Sequence, residues 1–334
     1  MVQTPNLDAL ATEGVLFTKH FANAAPCGPS RASIHTGMYL QNHRVSSNGT
    51  PLEARHTNWA IESRKQGFEP ALFGYTDTAL DPRENVSVDS EFRIFDGVLP
   101  GMEPIVQLGK LLESGPHSWA KWLRGQGYPV PADSNALYTT KKAQPEWENG
   151  GSEAAPLEMP AELHDTYFMV DQVLDYIQGN QNWCVHLSLL RPHPPWVAPE
   201  PYNRMYPPDD LPSFSRAKDL ESERRQHPYL DYLLRQKYFR CPDDEKKLRR
   251  LQSSYFGLMT EVDHNLGRLF DALKASGEWS NTLIIFSSDH GEQMGDHWLI
   301  GKLGYFDQSY ACLLYTSDAA DEGLGVDLGG RRII

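Results

Sequence analysis

Five consecutive residues, Cys27-Gly28-Pro29-Ser30-Arg31, bring a thiol, a proline turn and a guanidinium group into one short segment. The thiol is a potential nucleophile, and the planar fork of Arg31 suits a tetrahedral anion. The proline and serine are typical of a helix start, and the helix is expected to run to Gly37. A bound anion would then lie near a helix N-terminus, where unpaired backbone N–H groups favour negative charge. The alternative is a buried structural cysteine in a Pro-Ser turn.

A second group of candidate residues follows the last predicted strand of the chain. Asp289 and His290 offer oxygen and nitrogen donors that suit a divalent cation. Lys302 follows them and adds a positive charge. An Asp-His pair can also serve only as a cap or a hydrogen-bonding pair, and a lone lysine can belong to a solvated surface. The residues alone leave these alternatives open.

The elements that must position these residues alternate between helix and strand. Apolar residues at helical spacing predict helices over 58–66, 166–177 and 244–275, and short apolar runs predict strands over 70–75, 183–190 and 282–288. This alternation predicts an α/β fold with a mostly parallel central sheet and helices on both faces. Ligands then belong at the carboxyl ends of the strands, where the candidate residues fall. Residues 98–160 and 197–243 are expected to be loops.

The same residues resemble a known family. Cys27 to Arg31 with Thr36-Gly37 after them, and Ser288 to Gly291 with Lys302 after them, resemble the sulfatase family within the alkaline-phosphatase-like superfamily. Four further segments resemble the branch of phosphonate monoester hydrolases and their arylsulfatase relatives: Asn42-His43-Arg44, Gly74-Tyr75-Thr76, Asp81-Pro82-Arg83 and Arg191-Pro192-His193-Pro194-Pro195. The resemblance runs over residues 4–310 and implies an alkaline-phosphatase-like fold.

The resemblance implies a particular chemistry. In sulfatases a modifying enzyme oxidises the cysteine to formylglycine, and the hydrated aldehyde is the nucleophile. A metal ion lowers the pKa of one hydroxyl of the hydrate, and the second hydroxyl later expels the esterified anion. The implied substrates are small anionic esters: sulfate esters, phosphonate monoesters or phosphodiesters. The implied partner is a formylglycine-generating enzyme, and the implied cofactor is one divalent ion (Mn, Ca or Mg).

The resemblance also implies roles for single residues. Cys27 is the precursor of the nucleophile and, once converted, a metal ligand together with Asp289 and His290. Arg31 steadies the hydrate and the anion, while Lys302 binds the group that is transferred.

Three further substrate contacts are implied: Asn48 and Tyr75 would contact the non-bridging oxygens, and His193 would protonate the leaving group. One residue departs from the family pattern, because a threonine expected two positions after Tyr75 is replaced by Asp77. An extra carboxylate near an anion site repels the substrate unless it pairs with a cation.

A second departure concerns the start of the chain. In the family, a segment like residues 4–8 follows a first strand that ends in a metal-binding Asp, and that strand has no counterpart here. We therefore expect the first strand to be missing and the metal site to be incomplete. One alternative function is thus a catalytically inactive, truncated fragment. A weaker alternative is a phosphatase that uses the unmodified thiol, against which the intact Pro-Ser-Arg recognition residues argue.

Composition excludes some classes of partner. The chain has 334 residues and a formal net charge of −13, which argues against nucleic acid. The longest purely apolar stretch, residues 283–286, is far too short to cross a membrane. No signal peptide is visible, and we expect a cytoplasmic protein whose parent enzyme is a homo-oligomer. The four cysteines show no spacing typical of disulfides or metal sites.

The two parts of the chain are expected to differ in origin. Residues 1–311 form the predicted catalytic domain, incomplete at both ends. Residues 312–334 resemble a sequencing adapter translated in one frame, and we expect them to be a non-native tail.

Overall fold

The computed structural model describes residues 2–78, 97–141, 155–311 and 314–317. The 81–83 segment and most of the predicted tail lie outside these ranges. Within them the helices are α1 (Pro5–Glu13), α2 (Cys27–Thr36), α3 (Leu40–His43), α4 (Trp59–Lys65), α5 (Trp119–Gly125), α6 (Asp165–Gly179), α7 (Leu220–Arg224), α8 (Pro228–Arg235), α9 (Glu245–Ser276) and α10 (Asp307–Tyr310). The strands are β1 (Gly14–Phe17), β2 (Pro70–Gly74), β3 (Glu103–Gln107), β4 (Cys184–Leu187), β5 (Ile285–Ser287), β6 (Gln293–Met294), β7 (Ile300–Gly301) and β8 (Leu314–Ser317).

The described strands form three small sheets. Strands β3, β2 and β4 lie side by side in parallel, with β2 in the centre. Strand β8 lies between β1 and β5 and is antiparallel to both, and β6 pairs with β7. The predicted α/β class is confirmed, with parallel pairing confined to the β3–β2–β4 sheet among the described strands. That the tail containing β8 is non-native stays a prediction.

Strand β2 is buried on both faces. Since successive side chains of a strand point to opposite sides, its neighbouring residues pack into two different apolar clusters. Phe73 packs in one apolar cluster with Trp119 of α5 and Phe168 of α6. Leu72 packs on the other side with Ala60 of α4. The predicted helices on both faces of the sheet are therefore observed around this strand.

Helix α9 supports the second group of strands. Its 32 residues begin after Asp244, whose side chain accepts hydrogen bonds from two backbone amides of the first turn, and they end at Gly277 in the left-handed conformation. Its apolar stripe, including Leu266, packs against Leu7 and Leu10 of α1 and against Phe286 of β5. Helix α9 therefore fixes the position of β5. No helix of the described residues is long and apolar enough to span a membrane.

The loop predictions for residues 98–160 and 197–243 were wrong in part, because the first stretch contains α5 and β3. Strand β3 pairs with β2 at the edge of the parallel sheet, where Pro104 is tolerated because an edge strand leaves half of its backbone groups unpaired. The second stretch contains α7 and α8, and α8 buries Leu230 and Leu233. These elements span only five to eight residues each, too few for a clear period to emerge from the sequence.

We expect Phe73→Ala to lower the free energy of unfolding by about 3–5 kcal/mol, because the ring is fully buried and its removal leaves a cavity. Urea denaturation followed by circular dichroism measures this value. The matched control is Phe68→Ala, which removes a ring that is 44% exposed and should change stability by less than about 1 kcal/mol. Equal losses in the two variants would contradict the placement of β2 in the core.

Candidate active site

Cys27 is the first residue of α2 and is buried. The helix ends at Gly37, which has a φ of 67° and donates its N–H to the carbonyl of Ser33. The first turn of α2 lies close to Asn48, whose Oδ1 accepts the N–H of Gly28 at 2.9 Å. The helix thus begins two residues before the predicted start at Pro29-Ser30, and Cys27 and Gly28 lie in its first turn.

Cys27, Asp289 and His290 come together, with one potential ligand atom of each within 4.8 Å of the others. The Sγ of Cys27 lies 3.2 Å from Nε2 of His290. An imidazole, a carboxylate and the oxygen that would replace this sulfur after oxidation are donors that divalent cations accept in proteins. The predicted ligand set therefore fits a metal ion.

The hydrogen bonds around His290 determine which nitrogen faces Cys27. Its Nδ1 lies 2.7 Å from the carbonyl oxygen of Gly291, so we assign the ring proton to Nδ1. Nε2 then carries the lone pair that a metal ion requires, an arrangement common among metal-binding histidines. Gly291 is required at its position because a side chain there would begin 2.1 Å from the carbonyl of Gln308.

Arg31 connects α2 to the ends of three strands. Its Nε donates to Oδ2 of Asp289 at 2.9 Å, after β5. Its Nη2 donates to the hydroxyl of Tyr75 at 2.9 Å, and its Nη1 donates to the backbone carbonyl of the same residue at 3.2 Å, after β2. Nη1 also donates to Oγ of Ser188, after β4, at 2.9 Å.

Burial and these contacts shift the pKa values of two partners of Arg31, namely Asp289 and Tyr75. Burial raises the pKa of Asp289, but the charges of Arg31 and His290 outweigh it and lower the pKa to about 2. Burial also raises the pKa of Tyr75 well above its usual range. At neutral pH Asp289 is therefore an anion and Tyr75 a neutral phenol.

The close approach of β2 and β4 brings Tyr75 and Ser188 to the same guanidinium group. Gly74 has a φ of 115°, and a side chain there would begin 2.2 Å from the carbonyl of Ser188. No other residue fits this contact without moving the strands apart. The glycine before Tyr75 is thus a requirement of the site.

Lys302 reaches the same centre from β7. Its Nζ donates to the Sγ of Cys27 at 3.3 Å. Burial, followed by the negative charge of Asp289, raises the pKa of the Cys27 thiol. Burial lowers the pKa of Lys302, but the nearby Cys27 and Glu292 outweigh it and the pKa is raised. Lys302 is therefore a cation at neutral pH that lies in direct contact with the sulfur of Cys27.

His193 lies on the loop after β4 and shares no hydrogen bond with the residues above in the described part of the chain. Its Nδ1 lies 2.9 Å from the carbonyl of Pro194. Burial, followed by the charge of Lys302, lowers its pKa. The electrostatic effect of Lys302 links this loop to the site around Cys27.

A buried ion pair holds the His193 loop in place. Arg191 donates to Oδ2 of Asp165 at 2.9 Å, and its Nη1 donates to the backbone carbonyls of His193 at 2.8 Å and Pro195 at 3.2 Å. The two charged side chains are 0% and 2% exposed. Tyr138 completes the arrangement by donating to the Asp165 carboxylate at 2.7 Å.

The structure therefore brings seven of the predicted residues together: Cys27, Arg31, Asn48, Tyr75, Asp289, His290 and Lys302. His193 approaches them on a separate loop. Two contributors were missed. Ser188 lies within the predicted strand 183–190 and directly follows the observed β4, yet a serine at such a position carries no chemical signal. Asp165 lies at the start of α6, where an acidic residue is common for electrostatic reasons alone.

Known proteins resemble this chain over most of its length. The model of the Sulfatase family matches residues 1–328. The multifunctional alkaline phosphatase superfamily protein PehA of Trinickia caryophylli is 38% identical over 95% of this chain and 63% of its own. An arylsulfatase of Clostridium perfringens is 29% identical over 89% of this chain and 59% of its own.

A solved structure agrees with these relatives. The phosphonate monoester hydrolase of Agrobacterium radiobacter superposes with a TM-score of 0.85 at 40% identity, over 95% of this chain and 64% of its own. The chain thus spans a little under two thirds of the length of these relatives. The predicted alkaline-phosphatase-like fold is confirmed, and the chain belongs to the sulfatase family.

Proposed function

We propose that the parent enzyme hydrolyses sulfate esters, phosphonate monoesters or phosphodiesters through a formylglycine hydrate made from Cys27. The observation that carries this proposal is the meeting of Cys27 with the Asp289–His290 pair and the ammonium group of Lys302. A nucleophile, a metal-ligand pair and a cation are the parts that attack on a tetrahedral anion requires. The names of the relatives support the same class of substrate.

In the proposed reaction the metal ion, held by converted Cys27 with Asp289 and His290, would lower the pKa of the hydrate and neutralise charge on the ester. The side chains of the chain itself bind and orient. Lys302 donates to the oxygens of the transferring group, and Asn48 fixes the first turn of α2 through Gly28. Arg31 is already bonded to Asp289 and Tyr75, so it holds these groups rigidly and offers the remaining N–H to the anion.

His193 is proposed to protonate the leaving group. The general acid is the imidazolium form of His193, in which Nδ1 donates to the carbonyl of Pro194 and Nε2 carries the proton that passes to the ester oxygen. Arg191 fixes the backbone of this loop, so the ring is held by a buried ion pair rather than by flexible chain.

The unmodified-thiol alternative finds little support in the site. A catalytic cysteine reacts as its thiolate, and such residues have lowered pKa values. Burial and the charge of Asp289 raise the pKa of Cys27, although the charges of Lys302 and Arg31 act in the opposite direction. The alternative of an inactive fragment is tested by the first experiment below. The metal identity, the cytoplasmic location and the homo-oligomeric state stay predictions.

We expect Cys27 to be converted when the chain is expressed together with a formylglycine-generating enzyme. Mass spectrometry of the tryptic peptide from His20 to Arg31 should show the aldehyde at Cys27, because the recognition residues Pro29 to Arg31 are present. The control is a known sulfatase peptide expressed in the same cells. An unmodified thiol alongside a converted control would contradict the mechanism, and an aldehyde in a chain that hydrolyses no ester would favour the inactive fragment.

We expect His290→Ala to weaken the binding of Mn²⁺ by at least about 10-fold. Removing a group that only orients a metal ligand already weakens metal binding by about this factor, and removing the ligand itself should weaken it at least as much. Isothermal titration calorimetry on the purified protein measures the dissociation constant. The control His193→Ala removes an imidazole outside the three-ligand cluster and should leave the constant within a factor of about 3. An equal loss in both variants would rule out the assignment.

We expect His193→Gln to slow the hydrolysis of esters with poor leaving groups far more than that of para-nitrophenyl esters. Loss of a general acid costs about 10²–10⁴-fold where protonation limits the step. The dependence of kcat on the leaving-group pKa measures the effect, and it should become steeper. A uniform decrease for all leaving groups would instead indicate a binding role for His193.

A further inference from the structure

Asp77 is a half-buried carboxylate beside the proposed nucleophile, and no role has been given to it above. It lies two residues after Tyr75, where the family resemblance leads one to expect a threonine. A side chain on Gly28 would begin 3.5 Å from Oδ2 of Asp77 and 3.2 Å from Oδ1 of Asn48. The carboxylate therefore lies against the first turn of α2, next to Cys27.

The backbone directs Asp77 to this place. Its φ is 53°, in the left-handed region that few residues other than glycine, Asn and Asp adopt. The preceding Thr76 is fully buried and anchors the chain on the opposite side, since its hydroxyl donates to the carbonyl of Gly97 and accepts the N–H of Leu99. With Thr76 anchored in this way, the left-handed backbone at Asp77 directs its carboxylate toward α2.

One oxygen of the Asp77 carboxylate has no partner in the described part of the chain. This oxygen, Oδ2, is buried. Among the described residues no cation forms an ion pair with Asp77. The two cations of the site have other partners: Arg31 pairs with Asp289, and Lys302 donates to the sulfur of Cys27. Burial raises the pKa of Asp77, whereas the charges of Arg31 and Lys302 act in the opposite direction.

We propose that Asp77 determines substrate specificity by disfavouring doubly charged phosphate monoesters relative to singly charged esters. This inference rests on the proposed function, because it concerns how the proposed site distinguishes among esters of tetrahedral anions. Sulfate esters, phosphonate monoesters and phosphodiesters carry one negative charge, whereas a phosphate monoester carries nearly two at neutral pH. The second charge of a substrate bound beside Cys27 meets the Asp77 carboxylate within a mostly buried site, where repulsion is strong.

Asp77 is not a member of the three-ligand cluster of Cys27, Asp289 and His290. A specificity role and a ligand role are therefore separable by experiment. If Asp77 acts on the substrate, its amide variant should leave metal binding intact. If it acts as a ligand, the same variant should lose metal.

The test compares Asp77→Asn with the wild type, since Asn removes the charge, keeps the shape and tolerates the left-handed backbone. Calorimetry with the unconverted protein, loaded with Mn²⁺ at about pH 8, gives dissociation constants for para-nitrophenyl phosphate and para-nitrophenyl sulfate without turnover. We expect the preference for the sulfate to fall by roughly 10-fold or more in the variant. The matched control Asp271→Asn removes an exposed carboxylate on α9 and should leave the preference unchanged.

The same comparison in the converted enzyme uses kcat/KM for these two esters and for bis(para-nitrophenyl) phosphate. The ratio of phosphate monoester to sulfate should rise by roughly 10-fold in Asp77→Asn, while the ratio of diester to sulfate stays constant. An unchanged preference in the calorimetry, or a loss of Mn²⁺ binding by 10-fold or more, would overturn the inference. A converted wild type that hydrolyses none of the three esters would instead overturn the proposed function, while the binding preference would still decide the role of Asp77.

Discussion

The ion pair between Arg31 and Asp289 is the interaction on which the rest of the site depends. The two side chains are only 12% and 16% exposed, so each charge would be costly without the other. The pair joins the first turns of α2 to the end of β5, and the other N–H groups of Arg31 reach the ends of β2 and β4. The guanidinium group of Arg31 thus fixes the position of the proposed nucleophile relative to three strands.

A second buried pair does the same for the loop that carries His193. Arg191 and Asp165 join the loop after β4 to the start of α6. Nearby, Nδ1 of His164 lies 2.6 Å from the carboxylate of Glu261 on α9, with both side chains fully buried. Breaking a buried pair on one side leaves an uncompensated charge, which costs about 3–5 kcal/mol. The placement of His193 is therefore coupled to the stability of the helical layer behind it.

The sequence was sufficient to predict the residues at strand ends that carry distinctive chemistry. Cys27, Asp289 and Lys302 were predicted as site residues because the short segments around them resemble those of the sulfatase family, whereas the residue types alone left structural roles open. Their partners were not predictable in the same way, because Ser188 and Asp165 are ordinary residues that are distant in sequence from the arginines they bind. Strand β3 was missed for a different reason, since its five residues show no regular alternation of apolar and polar types.

The burial of Cys27 also constrains when its modification can take place. The side chain is 6% exposed and is covered by the ring of His290 and the ammonium group of Lys302. These two residues follow Cys27 by more than 260 positions in the chain, so they cover it only after the strands around β5 have assembled on α2. A modifying enzyme must bind several residues around the cysteine, which the closed site does not permit. The proposed conversion of Cys27 would therefore have to precede the closure of the Arg31–Asp289 contact, because the folded site covers this residue.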